Sequence, residues 1–398
     1  MSEPPAEQDG DVLAFPPRRA RRLMFAVTGL ALAVALAAAG VIIATRHPPP
    51  RPAATLPGPA GQAPCSAAFS PDGTTLAVAG CDDSVSLWDI ATRRQVATLT
   101  SPRCPGGGQV KISPDGTTLA LFGGHAVSPT GRRYHPATCL WNMATRRETT
   151  LTDPPLLTDT TAQGAFSPDG TTLAVADNSG NIYLWNLATR RVTATVPASR
   201  YCGPTCPVAF SPDGTTLAVG QTEPSGDHVY LWDLTAKRWA GTLTDPGRGI
   251  GSLAFGRNGI LAAGADDDHA YLWDVPTRRL TGTIAPPINV AAGNASISKG
   301  ATDGGPYPGP GYFDKSTTVV FSPGGTTLAI DASFGYGTYL YNAATRTRVA
   351  TLPYPAHRFY VAAWVAFSPD GTMLAVDEMR SSRDHGHVYL WDVMRNRS

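Results

Sequence analysis

One two-part segment recurs seven times along this chain and constrains its fold more than any other feature. The first half is Phe69-Ser-Pro-Asp-Gly-Thr-Thr-Leu-Ala-Val78, and the second half begins nine residues later at Leu87-Trp-Asp-Ile-Ala-Thr-Arg-Arg94. Copies of the first half are spaced 43, 54, 44, 45, 66 and 46 residues apart. A period of about 45 residues predicts a repeat architecture. The first halves are Phe69–Val78, Ile112–Leu121, Phe166–Val175, Phe210–Val219, Phe255–Gly264, Phe321–Ile330 and Phe367–Val376.

Each repeat carries the signals of four short β-strands. Ser-Pro-Asp-Gly predicts a tight turn, because proline presets φ at its second position and glycine tolerates a left-handed conformation. The apolar runs on either side of the turn are the arms of a hairpin. A third strand contains the Leu-Trp-Asp element, as in Val229–Asp233, and a fourth follows the Ala-Thr-Arg-Arg turn, as in Val96–Thr100.

The Leu-Trp-Asp or Leu-Trp-Asn element gives the chain a recognisable resemblance. It stands in six repeats, and the sixth repeat has Tyr341 in place of the tryptophan. The tryptophans are Trp88, Trp141, Trp185, Trp232, Trp273 and Trp391. Residues 52–398 therefore resemble the WD-repeat β-propeller family, which implies an all-β, seven-bladed propeller. The family's Gly-His dipeptide is absent from all seven repeats, so we do not expect its His-to-Asp polar network.

The two ends of the propeller sequence are complementary. The chain stops at Trp391–Ser398, directly after a third strand, so blade seven lacks its fourth. Pro52–Pro57 matches the fourth-strand segments Val96–Thr100 and Val349–Pro353. We predict that residues 52–57 complete blade seven and close the ring, because an unclosed ring exposes a strand edge, which proteins avoid.

An uncharged stretch near the amino terminus predicts a membrane anchor. Residues 1–22 form an acidic, proline-containing tail that ends in four arginines, and residues 23–45 carry no charge. A helix of that length spans about 35 Å, enough for a bilayer. Since more arginines precede the span than follow it, we expect a cytoplasmic amino terminus and an extracytoplasmic propeller. A cleaved secretory signal ending near Ala37–Ala39 is the alternative. The proline-rich linker, residues 46–51, reaches only about 20 Å.

Six cysteines suggest disulfides if the propeller lies outside the cytoplasm. Geometry favours three pairs: Cys202–Cys206, which flank Gly-Pro-Thr; Cys65–Cys81, at the open ends of the first hairpin; and Cys104–Cys139, both in the second repeat. The alternative is buried free thiols that pack as small hydrophobic groups. None of the spacings resembles a zinc site.

Charged residues gather on both predicted faces of the propeller. Arginine or lysine pairs follow most tryptophans, but the aspartates of the Ser-Pro-Asp-Gly turns emerge on the same face, which predicts a solvated face of mixed charge. His228, His269 and His387 each stand four residues before a tryptophan on the other face. Because this register repeats with the blades, we interpret these histidines as structural rather than as ligands of one metal.

The longest irregular stretch, residues 285–315, links blades five and six. Its aromatic residues Tyr307, Tyr312 and Phe313 are candidates for contact with a partner. An insertion without a role is the other interpretation of such a loop.

No nucleophile elbow, phosphate loop or metalloprotease motif is present in the sequence. A formal net charge of +1 gives no reason to expect a nucleic-acid partner. No cofactor is expected. The resemblance to WD-repeat proteins implies a non-enzymatic scaffold that binds an unknown protein partner. The alternative is a small-ligand sensor or propeller enzyme that uses the channel mouth near residues 285–315.

Overall fold

The computed structural model shows an all-β chain with its strands grouped into four-stranded antiparallel sheets. The residues it describes are 50–58, 64–80, 84–101, 104, 108–122, 138–151, 163–177, 180–197, 206–221, 228–244, 249–287, 317–332, 337–354, 361–379 and 386–395. Within these ranges, 28 strands form seven sheets, so the seven repeats predict the seven blades correctly.

The strands are numbered in chain order. Strand β1 is Ala54–Pro57. Blade 1 contains β2 (Pro64–Phe69), β3 (Thr75–Gly80), β4 (Ser84–Asp89) and β5 (Arg94–Thr100). Blade 2 contains β6 (Val110–Ile112), β7 (Thr118–Phe122), β8 (Thr138–Asn142) and β9 (Glu148–Leu151). Blade 3 contains β10 (Gln163–Phe166), β11 (Thr172–Ala176), β12 (Ile182–Asn186) and β13 (Arg191–Val196).

The remaining blades follow the same order of strands. Blade 4 contains β14 (Val208–Phe210), β15 (Thr216–Gln221), β16 (His228–Asp233) and β17 (Arg238–Thr244). Blade 5 contains β18 (Ile250–Phe255), β19 (Ile260–Ala265), β20 (Ala270–Asp274) and β21 (Arg279–Ile284), with a 3-10 turn at Arg257–Gly259. Blade 6 contains β22 (Thr318–Phe321), β23 (Thr327–Asp331), β24 (Gly337–Asn342) and β25 (Arg348–Pro353). Blade 7 contains β26 (Val361–Phe367), β27 (Met373–Met379) and β28 (His387–Asp392), joined by β1.

The closing strand is where the sequence predicts it. Strand β1 pairs antiparallel with β28, so that Ala54 lies opposite Leu390 and Leu56 opposite Val388. The Ala53 N–H extends the pairing by donating to the Leu390 carbonyl at 2.7 Å. The predicted closure by residues 52–57 is confirmed.

The first strand of each blade lies against the first strands of both neighbouring blades. These contacts run from β2 through β6, β10, β14, β18, β22 and β26 and return to β2. The inner strands therefore form a closed circle around the propeller axis. Seven hydrophobic clusters among the described residues fill the seven junctions between adjacent blades.

The burial of each strand explains its composition. The second strands are buried on both faces, which is why Thr75–Gly80 is a continuous apolar run rather than an alternating one. The fourth strands form the outer rim, and Arg94–Thr100 alternates more exposed with more buried positions. Leu56 of the closing strand is buried in the cluster between blades 7 and 1.

None of the helical structure within the described ranges is long and apolar enough to cross a membrane. The predicted tail, membrane helix and linker, residues 1–22, 23–45 and 46–51, lie outside these ranges except for residues 50 and 51.

Candidate functional site

The turns between first and second strands are held together by a trio of side chains. In blade 1 the Ser70 hydroxyl donates to Asp72 Oδ1 at 2.5 Å, and the Thr74 N–H donates to the same oxygen at 3.0 Å. The hydrogen bond from Ser70 is the main cause that holds the pKa of Asp72 below its usual value, and the bond from Thr74 adds to it. The same arrangement with a lowered aspartate pKa recurs at Asp115, Asp169, Asp213 and Asp370.

The turns between third and fourth strands use the residue that follows each tryptophan. The Thr92 hydroxyl and N–H donate to Asp89 Oδ1 at 2.6 and 2.7 Å, and they lower the pKa of Asp89. The first residue of each basic pair then takes a left-handed conformation, which is uncommon outside glycine. These residues are Arg93, Arg146, Arg190, Lys237 and Arg278, joined in blade 6 by Arg346.

Two of these left-handed arginines reach the rim of the preceding blade. Arg278 donates to the Ala240 carbonyl and Arg346 to the Thr281 carbonyl. Each guanidinium occupies the space that a Cβ would need at a neighbouring glycine, Gly241 or Gly282. The glycines therefore make room for the arginines, and this part of the basic ring stabilises the contact between blades.

Among the described residues, the aspartates of the turns between first and second strands form no ion pairs with the basic pairs of this face. Within the described part of the chain, the turn aspartates bind serine and threonine hydroxyls and backbone N–H groups instead. The basic side chains of these pairs are exposed. This arrangement agrees with the predicted solvated face of mixed charge.

The three histidines of the opposite face each contact a tyrosine, edge-on for His228 and stacked for His269 and His387. Each ring lies near the tyrosine two residues later, with ring centroids 5.9 Å apart for His228, 6.1 Å for His269 and 6.3 Å for His387. His269 Nδ1 also lies 2.8 Å from the Asp267 carbonyl oxygen. No group of three potential metal ligands occurs among the residues that the structure describes.

Two carboxylates of blades 6 and 7 lie in the core, and sequence reasoning missed them. Asp331 and Asp377 are 0% and 1% exposed. Burial raises the pKa of Asp331 to about 6, although hydrogen bonds from Tyr354 and Thr338 oppose the shift. Burial also raises the pKa of Asp377 well above its usual value. Comparing the ends of the second strands in the seven repeats would have identified both residues.

Lys111 interrupts the apolar pattern of the first strands. It stands directly before Ile112 on β6, where blades 1, 3, 4, 5 and 7 have alanine and blade 6 has valine. The ammonium group has no hydrogen-bond or ion-pair partner among the described residues, and burial lowers its pKa. A single cation at this position does not form a catalytic set.

A shallow cavity of about 360 Å³ lies on the outer rim of blade 4 and is lined by Tyr230 and Trp239 through Thr242. The Trp239 ring packs edge-on against Trp232 at 5.0 Å and against Tyr230 at 5.6 Å. Since other blades place Gln95, Val192 or Leu280 at the position of Trp239, the cavity is a local feature of blade 4.

The disulfide predictions are confirmed for one pair. Cys104 and Cys139 are bonded, with their Cα atoms 6.2 Å apart. Cys65 and Cys206 each belong to a disulfide as well. Cys81 and Cys202 lie outside the described residues, so the pairs Cys65–Cys81 and Cys202–Cys206 stay predictions.

The predicted contact residues Tyr307, Tyr312 and Phe313 also lie outside the described residues. Of the 285–315 loop, only residues 285–287 are described, and the Tyr339 hydroxyl donates to the Pro287 carbonyl at 2.7 Å. This contact ties the start of the loop to blade 6.

Comparison with known proteins agrees with this geometry. Residues 50–89 and 160–186 match the family model described as WD40, WD domain, G-beta repeat. The first segment covers β1 to β4, including the closing strand, and the second covers β10 to β12. No curated protein matches the chain significantly. The two matches and the closed ring of seven blades together support a WD-repeat β-propeller.

Proposed function

We propose that this protein is a membrane-anchored, extracytoplasmic scaffold that binds a protein partner and has no catalytic activity of its own. The observation that carries the proposal is the closed seven-bladed propeller with its two WD40 matches, since WD40 domains generally mediate protein–protein interaction.

The turn chemistry supports a structural use of the repeated polar residues. The aspartates, serines and threonines that recur in the turns form hydrogen bonds with one another, as Ser70, Asp72 and Thr74 do. Partner specificity then depends on residues that differ between blades. The 285–315 loop is the largest such difference, and we propose Tyr307, Tyr312 and Phe313 as contact residues because rigid aromatic side chains supply contact area at low entropic cost.

The membrane and compartment parts of the proposal depend on separate observations. The uncharged residues 23–45, preceded by arginines, support an anchor with its amino terminus in the cytoplasm. The Cys104–Cys139 disulfide supports an oxidising compartment for the propeller, because disulfides are rare in the cytosol.

Two experiments test the proposal. Protease added to intact cells is expected to digest the propeller while sparing residues 1–22, and digestion only after lysis contradicts the topology. Photo-crosslinking from solubilised membranes is expected to link one specific partner to the intact chain. The link is expected to disappear in the variant Tyr307→Ala/Tyr312→Ala/Phe313→Ala.

A matched control distinguishes loop contacts from general surface hydrophobicity. The variant Val96→Ala/Leu280→Ala/Met394→Ala removes three exposed apolar side chains, 49%, 43% and 59% exposed, from elsewhere on the propeller. We expect it to keep the crosslink. If both triple variants keep it or both lose it, the assignment of the loop residues is wrong. If the intact chain itself links no specific protein, the scaffold proposal is wrong.

A further inference from the structure

The end of the second strand is a variable position within an otherwise regular core. The fifth residue of this strand is small in four blades and phenylalanine in blade 2, whereas in the adjacent blades 6 and 7 it is aspartate. In blade order the residues are Ala79, Phe122, Ala176, Gly220, Gly264, Asp331 and Asp377. Two neighbouring junctions of the ring therefore receive a carboxyl group where the others receive apolar atoms.

Asp331 faces the junction between blades 6 and 7. Ala329, two residues earlier on the same face of β23, belongs to the hydrophobic cluster of this junction, and so does Tyr354. The Tyr354 hydroxyl donates to both oxygens of Asp331, at 2.5 and 2.7 Å. The Thr338 hydroxyl of β24 donates to Oδ2 at 2.7 Å. The carboxyl group thus links the second strand of blade 6 to the chain that leads into blade 7.

Asp377 stands at the same position of β27, on the face that it shares with Ala375, which packs in the junction between blades 7 and 1. Its Oδ1 accepts the Trp364 N–H from the irregular end of β26, while Oδ2 has no hydrogen-bond partner among the described residues. Asp331 and Asp377 repel each other electrostatically when both are charged. Burial raises the pKa of the Tyr354 hydroxyl well above its usual value, and the two carboxylates raise it further.

No described cation compensates this pair. Neither carboxylate forms an ion pair or hydrogen bond with a lysine, arginine or histidine in the described ranges. On β28, His387 stacks on Tyr389, which lines the same junction. Thr318 of β22 lies opposite Asp331 in the sheet and does not titrate. A buried carboxylate without a cation is costly when ionised.

We propose that Asp331 makes the junction between blades 6 and 7 a proton-dependent latch, which is tight when its carboxyl group is protonated and weaker when it ionises. The latch goes beyond the scaffold role, since it makes one part of the ring respond to the acidity of its surroundings. It predicts that this junction, rather than the β1 closure, opens first as the pH rises.

The direction of the effect follows from the position of the titration. Burial raises the pKa of Asp331 to about 6, above the value of about 3.9 for an unfolded chain. Stability from this group is fully present below about pH 4 and is lost as the pH rises through about 6. A difference of about 2 pH units between the folded and unfolded pKa of Asp331 corresponds to roughly a 100-fold change in the equilibrium constant for opening the junction. Asp377 keeps its proton to a higher pH than an ordinary aspartate, because burial disfavours its charge.

Hydrogen exchange on the full chain in detergent tests the latch. Exchange rates are converted to protection factors, which removes the intrinsic pH dependence of exchange. The protection factors of Leu352–Tyr354 and β26 are then compared with those of β11 in blade 3. Between pH 4 and pH 7, we expect protection in the wild type to fall by up to about 100-fold at the junction, with a smaller change at β11. Equal changes at the two places would overturn the proposal.

Variants isolate the responsible group. In Asp331→Asn the amide resembles the protonated carboxyl in shape, so the fall in protection at the junction is expected to disappear. His387 and the other ionisable side chains are unchanged in this variant. Asp377→Asn is expected to change protection at this junction little, since Asp377 lies on the face of β27 that meets blade 1. A fall that persists in Asp331→Asn contradicts the latch.

A further variant keeps the test decisive if Asp331→Asn does not fold. Tyr354→Phe keeps the buried ring but removes a hydrogen bond that favours the ionised form of Asp331. The loss of protection is therefore expected to shift to higher pH. An unchanged midpoint shows that Asp331 does not control the junction.

Discussion

The turn face and the junction between blades 6 and 7 both contain aspartates that accept hydrogen bonds from hydroxyl groups, yet their pKa values shift in opposite directions. Asp72 accepts from Ser70 and Thr74 at the surface, and its pKa is lowered. Asp331 accepts from Tyr354 and Thr338 in the core, and its pKa is raised to about 6. Hydroxyl groups donate at both places, and Asp72 also accepts a backbone N–H. Burial is the leading cause of the shift at Asp331, so the opposite directions come chiefly from the water that this carboxylate loses on folding.

The comparison shows that the same hydrogen bond has different consequences at the two places. A lowered pKa contributes stability that is present above the unfolded value and lost as the pH falls through the folded value. A raised pKa contributes stability that is present in acid and lost as the pH rises. The turn face therefore weakens in acid, whereas the junction between blades 6 and 7 weakens toward alkaline pH.

Moving a carboxyl group into a junction packed with apolar side chains gives the largest expected effect. Ala176 is the blade 3 equivalent of Asp331 and packs in the cluster between blades 3 and 4. Ala176→Asp is expected to lower the free energy of unfolding by about 3–5 kcal/mol at pH 8, because it buries an unpaired charge. Denaturant unfolding at pH 8 and pH 5 measures the cost.

Ala176→Asn provides the matched control, since it has nearly the same shape without the charge. The aspartate variant is expected to be less stable than the asparagine variant at pH 8 and to approach it in acid. If the two variants stay equal at pH 8, ionisation is not the source of the cost, and the contrast between the two regions loses its physical basis.

Removing one donor from Asp331 gives the next largest effect. Thr338→Val keeps the shape of a fully buried side chain but deletes its hydrogen bond to Oδ2. We expect a loss of about 1.5–3 kcal/mol at pH 8, where Asp331 is ionised, and a smaller loss at pH 5. Thr193→Val is the control, because the Thr193 hydroxyl donates to the Leu184 carbonyl, whose charge does not change with pH. A loss at Thr338 that is independent of pH contradicts the prediction.

The surface member of the comparison predicts a smaller effect with the opposite pH dependence. Asp72→Asn removes the charge that Ser70 and Thr74 stabilise. Because solvent screens this exposed site, we expect a loss of only about 0.5–1 kcal/mol at pH 7. The difference from the wild type is expected to vanish as the pH falls through the lowered pKa of Asp72. Urea titrations from pH 7 downward check this, and a difference that does not begin to shrink as the pH falls below about 4 is the contrary outcome.

The repeat pattern predicts the regular parts of the molecule well, since it depends on local chemistry. The turn residues, the buried second strands and the likeness of residues 52–57 to a fourth strand are all visible along the chain. The closing strand Ala54–Pro57 falls within the predicted range because its composition is dictated by the strand that it pairs with.

The irregular contacts depend on pairs of residues from different blades, which the pattern of one repeat does not encode. Phe122 fits the core only because blade 3 has Gly164 against its ring. Arg278 similarly lies over Gly241 of the preceding blade. Asp331 is visible in an alignment of the repeats, but its donor Tyr354 lies in a connection outside them. Sequence reasoning therefore could find the unusual carboxyl group but not the partner that tolerates it.

The first turn of blade 6 has Gly324 where the other Ser-Pro turns have aspartate, so the turn carboxylate can be added there by a single substitution. A Cβ added at Gly324 meets no atom closer than Thr326 Oγ1 at 3.8 Å. Gly324→Asp is expected to complete a trio with Ser322 and Thr326 and to stabilise the protein by about 0.5–1 kcal/mol at pH 7.

Gly324→Ala isolates the carboxylate from the backbone effect, since replacing glycine restricts the unfolded chain in both variants. The gain of the aspartate variant over the alanine variant is expected to be present above about pH 4 and to disappear in acid, as at Asp72. Thermal unfolding of both variants at pH 7 and pH 3 measures it. Equal stability at pH 7 would show that the turn carboxylates contribute nothing beyond the turn itself. Of the two regions compared, only the buried carboxyl groups would then contribute to the pH dependence of stability.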